Sequence, residues 1–210
     1  MDELFKKAAE RQGSVVSVAA AADPHVLEAV SAAKQRGIAD FVLVGDEAEI
    51  RRLASEHSLD LSGMEVLHEP DNDTACRRAV ELVAGGKADA LMKGLVDTSV
   101  IMKAALDRDG GIRTGRRLSH VAVFEVPTYH KLLFVTDAAI TIAPDLTGKK
   151  EIIENAVDAL HNLGIRNPKT ALLAAKEKAD EKMPVTLEYA QLVKMAAAGE
   201  ITGCVLDGPL

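Results

Sequence analysis

Tryptophan is absent from this 210-residue sequence, and aromatic residues together make up 3% of it. A core without rings has to be filled by Ala, Val, Leu and Ile, the filling of sheets covered by helices on both faces. Cysteine is nearly absent too. Cys76 and Cys204 lie far apart and make no metal-ligand spacing, which reads as two buried thiols in a reducing cytosol. Positive charge is in deficit: 25 Lys and Arg against 32 Asp and Glu leave a formal charge of -7. That balance argues against nucleic acid as a partner, while leaving room for a local basic cleft that takes a small anion. No apolar run reaches the roughly 20 residues of a membrane span. The opening MDELFKKAAERQG lacks the apolar stretch of a secretory signal, so a cytoplasmic protein is expected.

What is present is alternation. Residues 14–20 read as a buried strand, and Asp23 caps a helix with Pro24 in its first turn, running to residue 36 and stopped by Gly37. Strands follow at 40–44, 64–68 and 88–92, separated by helices over 46–57 and 72–84; Thr98 or Ser99 caps the next helix, which runs to 106. Such β-α alternation predicts parallel strands, right-handed crossovers and ligands gathered beyond the carboxyl ends of the strands. From about 107 the pattern changes. A polar, Gly- and Arg-rich stretch leads to short strand-like runs at 119–126, 132–136 and 138–142, with Pro127-Thr128-Tyr129 as a hairpin turn. Gaps that short predict antiparallel pairing. A helix over 147–163, a strand over 169–174, a helix over 186–198 and an interior strand over 202–206 complete the pass. The expected fold is α/β, three-layer αβα, with a mixed, mostly parallel sheet in two domains, 1–112 and 113–210.

Two clusters have the chemistry of an anion site. In the first, Gly94 lets a ligand approach backbone, Lys93 adds charge, and Thr98 and Ser99 offer hydroxyls and free amides at a helix start. An ordinary strand-to-helix turn capped by Ser99 explains the same residues equally well. Lys103 falls one turn after Ser99, so it could reach the same pocket. The second cluster is Arg113, Arg116 and Arg117, then Ser119 and His120. Arginine forks suit phosphate oxygens, although a solvated linker and a packed core histidine are the simpler accounts. Asp137, Asp145 and Asp207 flank strand ends, where a carboxylate serves as a base or merely shapes a turn. The GxxxxGK[ST], GxGxxG and GxSxG spacings and any metal-ligand cluster are all missing.

The runs LMKGLVDTS, GGIRTGRRLSHVAVFEVP and LLFVTDAAITIAP resemble the phosphate acetyltransferases and butyryltransferases, and the butyryltransferase branch most. VAAAADPHVLEAV, GIADFVLVGD, KMPVT and the terminal GCVLDGPL extend the match over essentially the whole sequence. The resemblance implies two α/β domains around a cleft, similar to the isocitrate/isopropylmalate dehydrogenase-like fold. It implies reversible transfer of a short acyl group, butyryl or branched, between coenzyme A and inorganic phosphate. Coenzyme A is then a substrate, no cofactor or metal takes part, and a cytosolic homo-oligomer is expected. It marks Ser119 and His120 as catalytic candidates, and Lys93, Gly94, Thr98, Ser99, Lys103, Arg113, Arg116 and Arg117 as substrate, phosphate and coenzyme A contacts. Lys103 stands where the acetyltransferases carry an arginine, so it supplies charge without a fork. The family continues past DGPL into a segment with a Ser-Arg motif and an Asp proposed to activate the coenzyme A thiol. Its absence here implies a weak or inactive form. Other readings are acetyl transfer, a non-catalytic coenzyme A- or phosphate-binding or subunit-interaction chain, and a dehydrogenase of the related fold.

Overall fold

The computed structural model describes residues 1–11 and 13–210. The chain divides into two compact units, Met1–Thr114 and Gly115–Leu210.

The first unit opens with helix α1 (Asp2–Glu10), which the sequence reading passed over. Its Phe5 ring lies 5.6 Å from the guanidinium carbon of Arg36. Four strands, β1 (Val15–Ala19), β2 (Asp40–Gly45), β3 (Glu65–His68) and β4 (Ala90–Lys93), then alternate with α2 (Pro24–Gln35), α3 (Glu47–Glu56) and α4 (Asn72–Ala84). Helix α5 (Thr98–Ala105) follows β4. The strands form one parallel sheet in the order β3-β2-β1-β4. Strand periodicity sorts its side chains into two cores. Phe41 and Leu43 of β2 pack with Leu27 and Val30 of α2 and Ile50 of α3, whereas Val42 and Val44 pack with Ala75, Ala79 and Val80 of α4 and Ile101 of α5. This unit is therefore a helix-sheet-helix sandwich built almost entirely of aliphatic residues, as the poverty in aromatics demands. Asp23, Asp46 and Asp71 cap their helices by accepting backbone N–H bonds. At α5 the expectation of Thr98 or Ser99 as cap is corrected. Asp97 has the extended backbone of the cap position, and both hydroxyl residues lie inside the first turn.

In the second unit β5 (Ala122–Phe124) and β6 (Leu133–Val135) form the antiparallel hairpin, shorter than its sequence pattern. The expected strand over 138–142 is not one. Asp137 draws the backbone N–H groups of Ala139, Ile140 and Thr141 onto its carboxylate, and a chain so curled cannot pair as a strand. Helix α6 (Leu146–Asn162), β7 (Lys169–Ala171), α7 (Pro184–Ala197) and β8 (Val205–Asp207) complete the unit. Strand β8 pairs in parallel with β7, and Val205 is 49% exposed, so it is not the interior strand expected. Its Leu206 packs under α6 and α7 through Ile153, Val157 and Leu192.

Candidate functional site

The strand order of the first unit places a topological switch between β1 and β4. From β1 the chain winds outward to β2 and β3, then returns to lay β4 on the other side of β1. Ligands of open parallel sheets favour that crevice at the carboxyl ends. Here the two ends are bound together. Gly94 N–H donates to Ala19 O (2.8 Å) and Leu95 N–H to Ala20 O (3.1 Å). A Cβ on Gly94 would sit 2.2 Å from Ala20 O and 2.6 Å from Ala19 O, so only glycine fits. Ala20 itself has φ 53°, an uncommon value for a residue with a Cβ.

Lys93 does not hold its ammonium free at this crevice. Nζ donates to the carbonyls of Val96 (2.8 Å) and Gly94 (3.2 Å), which leaves one of its three protons for a ligand. Asp97 makes no side-chain cap bond, so nothing from it occupies the amides of Thr98 and Ser99 at the exposed start of α5. Lys103 turns elsewhere: it lines a cleft of about 240 Å³ between α4 and α5, with Asp73, Arg77, Val80 and Ala104, and Ser99 is not among the lining residues. The stretch before Arg113 is an ordered turn rather than a solvated linker. The Asp107 carboxylate accepts from Gly110 (2.9 Å) and Asp109 (3.0 Å), and these bonds hold its carboxyl below the usual range. Ile112 bonds back to Ala105 and packs on the α4–α5 core, which sets Arg113 at the surface.

The second unit carries the other candidates on one loop. Arg116 pairs with Asp158 at 2.7 Å and Arg117 with Glu151 at 3.0 Å, both partners on α6. The hydrogen bond to Asp158 raises the Arg116 pKa further. The side chains in these pairs are 36–57% exposed, so solvent screens each pair and it releases easily to a competing anion. Ser119 Oγ receives a hydrogen bond from Asn155 Nδ2 at 3.0 Å. His120 accepts a 2.6 Å bond from the Thr136 hydroxyl at its carbonyl, while its ring Nδ1 is buried with no protein partner among the described residues. A buried polar atom left unmet costs about 1–3 kcal/mol, so that nitrogen calls for a ligand or a water.

Neighbouring Asp137 has a pKa of about 2. Burial pushes it up, but the N–H groups of Ile140, Ala139 and His120 and the Thr141 hydroxyl together outweigh burial. It is a turn-former committed to donors, not a free base. The α6 residues Glu151, Asn155 and Asp158 are absent from the sequence-derived candidates. The signal for them was present: three polar residues spaced four and three apart on a helix already recognised. Among the described residues no group of three or more His, Cys, Asp or Glu could hold a metal ion, and no helix is long and apolar enough to cross a membrane.

The phosphate acetyl/butaryl transferase family model matches residues 1–75 and 68–210. The chain is 46% identical to the phosphate butyryltransferase of Clostridium acetobutylicum over 209 residues, which is 100% of this chain and 69% of that protein. It is 41% identical to the phosphate acetyltransferase of Rhizobium meliloti, again over 100% of this chain and over 66% of that one. Among solved structures, a branched-chain phosphotransacylase of Enterococcus faecalis superposes with a TM-score of 0.79 at 29% identity, covering 94% of this chain and 68% of its own. A phosphotransacetylase of Streptococcus pyogenes shares the fold with a TM-score of 0.78 at 20% identity over 100% of this chain and 73% of its own.

Proposed function

The chain belongs to the phosphate acetyl/butaryl transferase family, and on that premise we propose that it moves a short acyl group, butyryl or branched, between coenzyme A and inorganic phosphate. The observation that carries this reading is the pair of guanidinium groups, Arg116 and Arg117, held by weak surface pairs beside a serine hydroxyl. A phosphate dianion offers those forks a better partner than a solvated carboxylate.

The chemistry asks for little more than placement and charge. A phosphate oxygen attacks the thioester carbonyl, the carbon–sulfur bond breaks, and the proton of hydrogen phosphate ends on the thiol of coenzyme A. The barrier is the tetrahedral oxyanion, which fixed donors and cations stabilise. On this reading Ser119 and His120 serve the reacting centre, with Arg116 and Arg117 on the phosphate. In the first unit the free amides of Thr98 and Ser99, the last proton of Lys93 and the exposed Arg113 are offered to substrate oxygens, whereas Gly94 seats backbone and Lys103 lines a separate cleft. The relatives include both butyryl- and acetyltransferases, and acetyl transfer is the alternative within the same chemistry.

The reading extends to a cytoplasmic homo-oligomer. Burial raises the thiols of both Cys76 and Cys204, as suits inert cysteines in a reducing compartment. One face of the hairpin carries Phe124, Leu133 and Val135, all at least 36% exposed, a surface that self-association would cover. The test is release of free thiol from butyryl-CoA by a form that carries the segment the family has past DGPL. It is expected to require phosphate and to fall at least about tenfold in Arg116→Ala and Arg117→Ala. No phosphate-dependent thiol release with any short acyl-CoA would refute the proposal.

A further inference from the structure

Helix α6 turns a single stripe toward the loop that carries the arginines and Ser119. Gly148, Glu151, Asn155 and Asp158 follow one another at spacings of three, four and three residues, which keeps them on one face. A Cβ on Gly148 would meet the Arg117 guanidinium at 3.1 Å, so the absence of a side chain there gives that group its seat. Glu151 and Asp158 hold charged side-chain ends by exposed pairs. Asn155 differs from both, because it binds the loop itself. Its Nδ2 donates to the Arg117 carbonyl at 2.7 Å and to Ser119 Oγ at 3.0 Å.

A carbonyl cannot donate, so the group facing Arg117 O has to be the amide nitrogen, and its two protons serve the two acceptors. Ser119 Oγ is thereby an acceptor toward Asn155. Its own proton is not used in that bond, and no other partner takes it among the described residues. We infer that Asn155 is a positioning residue that makes Ser119 a hydrogen-bond donor to bound phosphate. Its second bond, to the Arg117 carbonyl, fixes the loop that presents this hydroxyl. This inference rests on the reading of Ser119 as a site residue.

Calorimetric titration of the 210-residue chain with inorganic phosphate separates the two. The proteins compared are the unaltered chain, Asn155→Ala, Ser119→Ala and the double variant. Losing one net hydrogen bond is expected to weaken binding about fivefold in each single variant. The double variant is expected to bind no more weakly than Ser119→Ala, because Asn155 acts through that hydroxyl. Amide hydrogen exchange at residues 117–120 is expected to quicken in Asn155→Ala with the global unfolding midpoint little changed. Losses that add in the double variant, or unchanged binding in Asn155→Ala, would overturn the positioning role alone. Absence of phosphate binding by the unaltered chain, or unchanged binding in Ser119→Ala, would instead remove the reading beneath it. Should Asn155→Ala fail to fold, the isosteric Asn155→Asp replaces it. Its carboxylate draws the Ser119 proton to itself, so part of its loss is expected to vanish when Ser119→Ala is added; a loss unaffected by Ser119→Ala would refute the role.

Discussion

At Gly94 two carbonyl oxygens occupy the space that a Cβ would need, both belonging to backbone at the end of β1. Backbone cannot swing aside as a side-chain end can. Gly94→Ala is therefore expected to lower stability by about 3 kcal/mol or more, near the extreme for single substitutions, as measured by urea unfolding. A change under about 1 kcal/mol would mean that the β1 and β4 ends are not joined as described. The glycine was legible in the sequence as a candidate, though for a different reason. The Lys93-Gly94 pair read as room for a ligand, whereas the structure shows Gly94 making room for Ala19 and Ala20. Lys93 shows a similar difference, since the carbonyls of its own loop take most of its donors. The close fit at Gly94 has no signature in local spacing, because it depends on a strand pairing more than 70 residues apart in sequence.

The clearest example among the elements is the turn after β6. Residues 138–142 form an apolar, strand-like run, yet Asp137 gathers three successive backbone N–H groups. A side chain that satisfies local donors outcompetes a strand with no partner to pair with. The same bonds give the turn an acid sensitivity. The Asp137 pKa is about 2 in the folded protein against 3.8 for an ordinary aspartate. Its contribution is thus complete above pH 3.8 and is lost as pH falls from there through about 2, for a total of about 2 kcal/mol. Asp137→Asn is expected to unfold at lower urea than the unaltered chain at pH 7, with the two converging near pH 2. A gap that is the same at both pH values would contradict this origin. Helix α6 shows the opposite balance of legibility. Its boundaries are readable from periodicity to within a residue, and so is its polar stripe, but what the stripe grips is not, since the arginine loop's position over that face is tertiary information.

For the molecule as a whole, the poverty in aromatics foretold the architecture well. Aliphatic side chains fill both faces of the parallel sheet, and the β-α rhythm of the first hundred residues appears almost element for element. The second unit was harder to read because its strands are three residues long and leave little periodicity to detect. Family membership joins the two, since the matched segments run through both units. Its chemical content lies in the bond that is made. A solution of butyryl-CoA, inorganic phosphate and a form of this chain carrying the family's segment past DGPL, followed by phosphorus NMR, tests acyl transfer to phosphate most directly. The expected result is growth of an acyl phosphate resonance in step with loss of thioester, abolished when phosphate is omitted. Loss of thioester with phosphate remaining entirely inorganic would show transfer to water instead, and would contradict the central claim.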